Sequence, residues 1–216
     1  MCRFLALTAA EPVSIAEHLR AFAAVAKNSR EFQGHGWGCS WQDAGAWRTH
    51  HSPSPVWQDD LDRFGRARVL VAHARSAFRD EGIRVENNMP FVEASLAFAF
   101  NGELRGVRIK ETGRIGAEKL FRFLAKHGAA EGADAARKAV GLVEQRTRYV
   151  RAMNFVLGGS GRFVVCSSFN EDADYFTLHV RREPGMTVVC SAPYEAGDAR
   201  WVPVANGTFE VIRWFS

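Results

Sequence analysis

Residues 117–150, AEKLFRFLAKHGAAEGADAARKAVGLVEQRTRYV, decide the fold class. Leu120, Phe121 and Leu124 recur at helical spacing over 117–127, and Gly128 is a natural stop. Over 133–150, Ala136, Val140, Val143, Thr147 and Val150 form a second, long amphipathic face. Two consecutive helices therefore interrupt a chain that otherwise consists of short β runs. Upstream these are CRFLALT (2–8), WGCSW (37–41), AWRTH (46–50), RVLVAH (68–73) and SLAFAF (95–100). Downstream they are MNFVL (153–157), RFVVCSS (162–168), YFTLHV (175–180), MTVVCSA (186–192) and FEVIRW (209–214), all rich in β-branched and aromatic residues. GGSG (158–161), REPG (182–185) and NG (206–207) supply turns. A further helix follows the first run: Ser14 and Glu17 form a capping box, and Ile15, Leu19, Phe22 and Ala26 share one face. Strands, two helices, then strands read as α+β, or as two sheets sandwiched between helices, and not as a doubly wound βαβ chain.

Composition narrows the function classes. A chain of 216 residues fits one domain, 1–216, with a core that needs no staples. Net charge is +4, but Arg and Lys are scattered, which argues against nucleic acid. No stretch approaches 18 apolar residues, so no transmembrane helix is expected. The opening MCRFLALTAAEP is too short for a signal sequence, and a cytoplasmic location follows. Cys2, Cys39, Cys166 and Cys190 form no CxxC pair, so neither a metal nor a redox cofactor is expected. The last three sit in apolar runs and read as core residues.

Cys2 differs by its address. Met1 precedes a small side chain, so its removal would leave Cys2 first. The thiol (pKa ~8.5) then sits beside its own α-amine (pKa ~7.7–8.0). That amine can serve as general base, directly or through a water; the plain alternative is that Cys2 merely begins a core strand. In VAHARSAF (71–78), Arg75 follows a strand end and presents a fork suited to a carboxylate. In FAFNGEL (98–104), the Asn101 amide and the Gly102 N–H can form a two-donor oxyanion hole, although Asn-Gly equally favours a hairpin turn. VENNMPF (85–91) and QGHGWG (33–38) lie between, with Asn87, Pro90, Phe91 and Trp37.

Taken in order, MCRF, GHGWG, AHARSAF, ENNMPF and FNGEL resemble the stand-alone class II glutamine amidotransferases, a family that includes the γ-glutamyl hydrolase of ergothioneine synthesis. The resemblance continues through AEKLF (117–121), MNFVLGGSGRFVVCSS (153–168) and MTVVCSAPY…W (186–201). It implies a four-layer α/β/β/α sandwich of the N-terminal-nucleophile hydrolase type, and cleavage of the γ-amide of glutamine or a γ-glutamyl compound. It implies Cys2 as nucleophile, Arg75 as the clamp for the substrate α-carboxylate, and Asn101 with Gly102 as oxyanion hole. A synthetase or acceptor-domain partner that takes the released ammonia is also implied.

Four positions depart from the family pattern. His35 stands where Asp is often found before GWG, Met89 where His often precedes Pro-Phe, and Phe100 where His usually precedes Asn-Gly. Gly116 replaces the substrate-binding Asp that pairs with the α-amino group, while Glu118 in the same stretch is kept. A subunit of altered catalysis, or one that acts only with a partner, is the rival reading. A generic binding module with an accidental Cys2 is the third.

Overall fold

The computed structural model describes residues 1–77, 82–194 and 200–215. Phe78, at the end of the VAHARSAF stretch, and residues 195–199 of the 186–201 stretch lie outside the described residues.

Strand β1 (Arg3–Ser14) runs into helix α1 (Ile15–Lys27), which Ser14 caps by accepting from the Glu17 N–H at 3.3 Å. Strands β2 (Trp37–Asp43), β3 (Ala46–Ser52), β4 (Arg66–Ala74), β5 (Phe91–Glu93) and β6 (Leu96–Val107) follow. Helices α2 (Gly116–Lys126) and α3 (Ala133–Glu144) separate them from β7 (Thr147–Gly159) and β8 (Arg162–Ser167). A short helix α4 (Ala173–Phe176), then β9 (His179–Glu183), β10 (Met186–Cys190), β11 (Val202–Pro203) and β12 (Thr208–Arg213) complete the order.

Two antiparallel sheets result, one ordered β11-β9-β10-β1-β4-β2-β3 and the other β12-β8-β7-β6-β5. Each is covered on both faces. On β1, Leu5 and Leu7 pack in the cluster that holds Leu19 and Phe22 of α1, whereas Phe4 and Ala6 point between the sheets with Val156 and Val165. On β7, Phe155 and Leu157 meet Leu120, Leu124 and Val140 of α2 and α3, and Val156 faces inward. Helix, sheet, sheet and helix layers form the expected sandwich. Double-faced burial explains why RFLALTA reads as a continuous apolar run rather than an alternating one.

Three local expectations need correction. The helical periodicity over 133–150 overruns its helix: α3 ends at Glu144, and Thr147 already pairs with Val107 in the β6–β7 ladder. Thr147, Tyr149 and Val150 favour extended backbone, and β6 offers them ladder bonds. Val150 still packs on the α2–α3 cluster, which is why it kept helical phase. The run YFTLHV is not one strand, because Tyr175 and Phe176 belong to α4 and turn inward against Ala152. In GGSG, Gly158 and Gly159 are in β7, and the turn itself is Ser160-Gly161, each at positive φ.

Candidate active site

Strand pairing places the first residues of the chain. Arg3 lies opposite Ala74, and Phe4 opposite His73, so Cys2 and Arg75 share one end of the first sheet. The GHGWG loop runs beside them. The Arg75 N–H donates to the Gly36 carbonyl at 2.9 Å, and the His35 N–H donates to the Arg75 carbonyl at 3.1 Å. The Ala77 N–H donates to His35 Nδ1 at 2.8 Å. His35 thus performs here the acceptor work that a carboxylate could do. Trp37 is core, fully buried, with its Nε1 donating to Asp59 at 2.8 Å.

The Cys2 side chain is half-buried, and its Sγ donates weakly to the Ser76 carbonyl at 3.6 Å. Burial raises its thiol pKa, with the chain's amino group and Arg75 pulling the other way. A thiol held protonated needs a base before it can attack. The Arg75 guanidinium is 5% exposed, yet its Nη1 has no hydrogen-bond partner. Burial lowers its pKa, and Cys2 opposes that. Gly82 lies beside its guanidinium, a Cβ there reaching 3.8 Å from Nη2, and the Asn87 amide donates to the Gly82 carbonyl at 2.9 Å.

Asn101 and Gly102 are not in a turn. They occupy the middle of β6, opposite Asn154 and Met153 of β7. Asn101 is fully buried, and neither its Oδ1 nor its Nδ2 is hydrogen-bonded. Asn154, its neighbour across the ladder, is engaged: it donates to the Phe176 carbonyl at 2.6 Å and accepts from the Ser168 N–H at 2.9 Å. A buried amide left unpaired costs about 1–3 kcal/mol. Gly102 admits no side chain, since a Cβ there would come 2.1 Å from the Ala152 carbonyl oxygen and 2.7 Å from the Phe100 ring.

His73 connects the two sheets and was legible in the sequence only as a strand end. Its imidazole is fully buried, and neither nitrogen makes a hydrogen bond of full geometry, the Phe100 carbonyl being its weak acceptor. Burial, then Arg75, pushes its pKa down to about 3, and the Phe100 carbonyl acts in the opposite direction. It stays neutral at physiological pH and is no base there. Arg75 and the amino terminus bear on it from one side, and the residue before Asn101 from the other.

Gly116 presents no side chain of its own. It opens α2 after Ile115, and a Cβ there would meet nothing within 4 Å. Two acids that could replace the lost Asp are already engaged. Glu118 accepts from the Arg114 N–H at 2.5 Å and from its guanidinium at 2.9 and 3.0 Å. Those bonds, foremost the side-chain ones, lower its pKa. Glu103 is paired with Arg105 and, at 3.4 Å, with Arg151. Met89 and Phe100 lie in one apolar cluster with Phe98 and Phe121. Among the described residues, no three His, Cys, Asp or Glu side chains converge as metal ligands, and no helix is long and apolar enough to cross a membrane.

The family model of the class-II glutamine amidotransferases matches residues 1–117. The chain belongs to that family. The matched amidotransferase segment contains Cys2, Arg75, Asn101, Gly102 and Gly116, while the remaining residues supply strands to both sheets. No curated protein matches the chain. Among solved structures, the glutamine phosphoribosylpyrophosphate (PRPP) amidotransferase from B. subtilis, complexed with ADP and GMP, is similar with a TM-score of 0.64 at 15% identity, over 100% of this chain and 49% of its own. This amidotransferase chain therefore spans about half the length of that protein. A glutamine aminotransferase class-II domain protein from Silicibacter pomeroyi is similar with a TM-score of 0.64 at 14% identity, covering 99% of both chains. A predicted glutamine amidotransferase from Pseudomonas aeruginosa gives a TM-score of 0.64 at 14% identity, over 99% of this chain and 98% of that one. Identities this low speak for the amidotransferase fold alone.

Proposed function

We propose that this amidotransferase cleaves the side-chain γ-amide of glutamine or of a γ-glutamyl-type compound through a thioester on Cys2. The carrying observation is that the Cys2 thiol, set against the Ser76 carbonyl, shares a sheet end with a buried Arg75 whose Nη1 is unpartnered. Once Met1 is removed, the Cys2 α-amine accepts the thiol proton and Sγ attacks the amide carbon. The Asn101 amide and the Gly102 N–H receive the developing oxyanion. The leaving nitrogen takes that proton from the α-ammonium and departs as ammonia or an amine; the freed α-amine then deprotonates a water, which adds to the thioester carbon and releases the carboxylic acid as the Cys2 thiol is re-formed. Treatment with a diazo-oxo-norleucine probe, followed by intact and peptide mass analysis, tests this. The expected product is one adduct on Cys2 of a chain lacking Met1. A chain that keeps Met1 yet turns over substrate would remove the proposed base.

Arg75 is assigned to the substrate α-carboxylate. Arg75→Lys keeps the charge and loses the fork, so kcat/KM should drop about 10–100-fold, the worth of one charge-assisted hydrogen bond. The same change should leave a decarboxylated amide unaffected. Equal losses on both substrates would make Arg75 purely structural.

Gly116 shapes the choice of substrate. Glu118 and Glu103 are engaged elsewhere and are not free to pair with a free α-ammonium, which without such a partner would be desolvated uncompensated. Free glutamine should be a poor substrate, and a γ-amide whose α-nitrogen is acylated or methylated a better one. Gly116→Asp enters open space. It should raise kcat/KM for plain glutamine by about 10–100-fold. A panel of glutamine, N-acetylglutamine and γ-glutamyl amides on both proteins decides it, and efficient use of plain glutamine by the unmodified protein would refute the assignment.

A further inference from the structure

The edge strands of the two sheets, β3 and β5, meet helix α2 around a cavity of about 910 Å³. That is the upper end of the range for small-molecule sites. Phe91 and Phe121 are buried and give it an apolar wall, and Val92 stands 37% exposed at its edge. The charged groups around it are paired with one another. Glu118 accepts from the Arg114 guanidinium at 2.9 Å, and Arg122 donates to Glu93 at 2.9 Å. Burial pushes the His51 pKa down, and its Nε2 lies 3.0 Å from the Pro90 carbonyl. Two arginines face three carboxylates, so the walls hold no excess of positive charge for an anion. β5 ends its sheet, and an edge strand carries backbone N–H and C=O groups that an extended chain can pair with. The cavity adjoins the candidate active site at two points. Glu86 lines it, and the next residue, Asn87, donates to the Gly82 carbonyl beside the Arg75 guanidinium. Gly113 and Arg114 line it too and lead into Gly116, where a Cβ would meet nothing within 4 Å.

We propose that this cavity takes the residues that precede a carboxyl-terminal glutamine, so that the substrate is a short peptide ending in glutamine. The proposal rests on the assignment of Arg75 to the substrate α-carboxylate and of Gly116 to its α-nitrogen. A glutamine at the carboxyl end of a peptide keeps the free carboxylate that Arg75 requires. Its α-nitrogen is an amide, which carries no charge and needs no carboxylate at position 116. The chain attached to that nitrogen leaves the site past the start of α2, and a glycine there keeps the way open. The preceding residues then meet Val92 and the apolar wall, and their backbone adds to the free edge of β5, a common mode of peptide recognition. A peptide suits these walls because its backbone is neutral and its side chains alternate between an apolar surface and solvent. Water is consumed, the γ C–N bond breaks, and ammonia and a peptide ending in glutamate are released.

Ammonia release from glutamine, N-acetylglutamine and the peptide acetyl-Ala-Val-Gln tests this. Lengthening the acyl group from acetyl to acetyl-Ala-Val should raise kcat/KM about tenfold or more, the worth of burying one apolar side chain, and chiefly through KM. Val92→Glu puts a charge at the apolar wall, and Thr49→Trp narrows the cavity from the β3 side. Both positions are exposed, and either variant serves should the other not fold. In the folded variants the gain from lengthening should vanish while N-acetylglutamine is cleaved as before. If N-acetylglutamine outpaces glutamine but the peptide gains nothing further, or keeps its gain in both variants, the cavity is not a peptide site and the reading of Gly116 stands. If plain glutamine is cleaved better than either acylated form, that reading falls and this proposal falls with it.

Discussion

Replacing Cys2 with alanine should abolish amide cleavage while leaving the protein folded and able to bind its substrate. The side chain is half-buried and makes one weak sulfur contact, to the Ser76 carbonyl at 3.6 Å, so little packing is lost. Alanine is also small, so Met1 should still be trimmed and the α-amine retained. Arg75, held by the Gly36 and His35 backbone, keeps its fork in place. What disappears is the atom that forms the thioester, and nothing else among the assembled groups can carry an acyl chain. Calorimetric binding of a γ-glutamyl amide with no product over prolonged incubation is the expected pair of results. Turnover at the wild-type rate would end the case for Cys2.

Asn101→Ala should cost about 10²–10³ in kcat, the usual effect of removing one oxyanion donor. The more telling readout is stability. An ordinary buried asparagine loses hydrogen bonds on truncation, and the protein weakens. Asn101 has none to lose: both side-chain polar atoms are buried and unpaired. Deleting them relieves a penalty of about 1–3 kcal/mol, set against the small void left behind. The melting temperature of Asn101→Ala should therefore equal or exceed that of the wild type. Asn154→Ala is the contrast, since its amide joins the Phe176 carbonyl and the Ser168 N–H and its loss should destabilise. A melting temperature that falls as far in the first variant as in the second would mean that Asn101 is structural.

These expectations could be approached from the sequence because the motifs state residue types, but they could not be completed from it. Ser14 and the apolar face of α1 were plain, since capping and helical phase are local properties. Thr147 and Val150 misled because one apolar cluster covers both the helix and the strand that follows it. Asn101-Gly102 was ambiguous because the dipeptide suits a turn in isolation. Its place mid-strand is fixed by the pairing with Asn154 and by the room that only glycine leaves beside the Ala152 carbonyl. Gln33 and Tyr175 open the QGHGWG and YFTLHV stretches, but their mutual contact spans 142 positions and no local pattern foretells it.

Strand β1 is paired on both sides, with β4 and with β10. The second partner, Met186–Cys190, is made long after β1. At about 5–20 residues per second, the amino terminus has emerged roughly ten to forty seconds before that strand exists to close over it. A peptidase working beside the ribosome therefore meets Met1 on an unfinished sheet. A purified chain that still carries Met1 presents it only after its ammonium has joined Glu31 and its carbonyl has been taken by Gln33 and Tyr175. On the proposed mechanism activation becomes a matter of timing: trimming would fall to the nascent chain, and a protein expressed faster than its peptidase can act should accumulate folded, intact and silent.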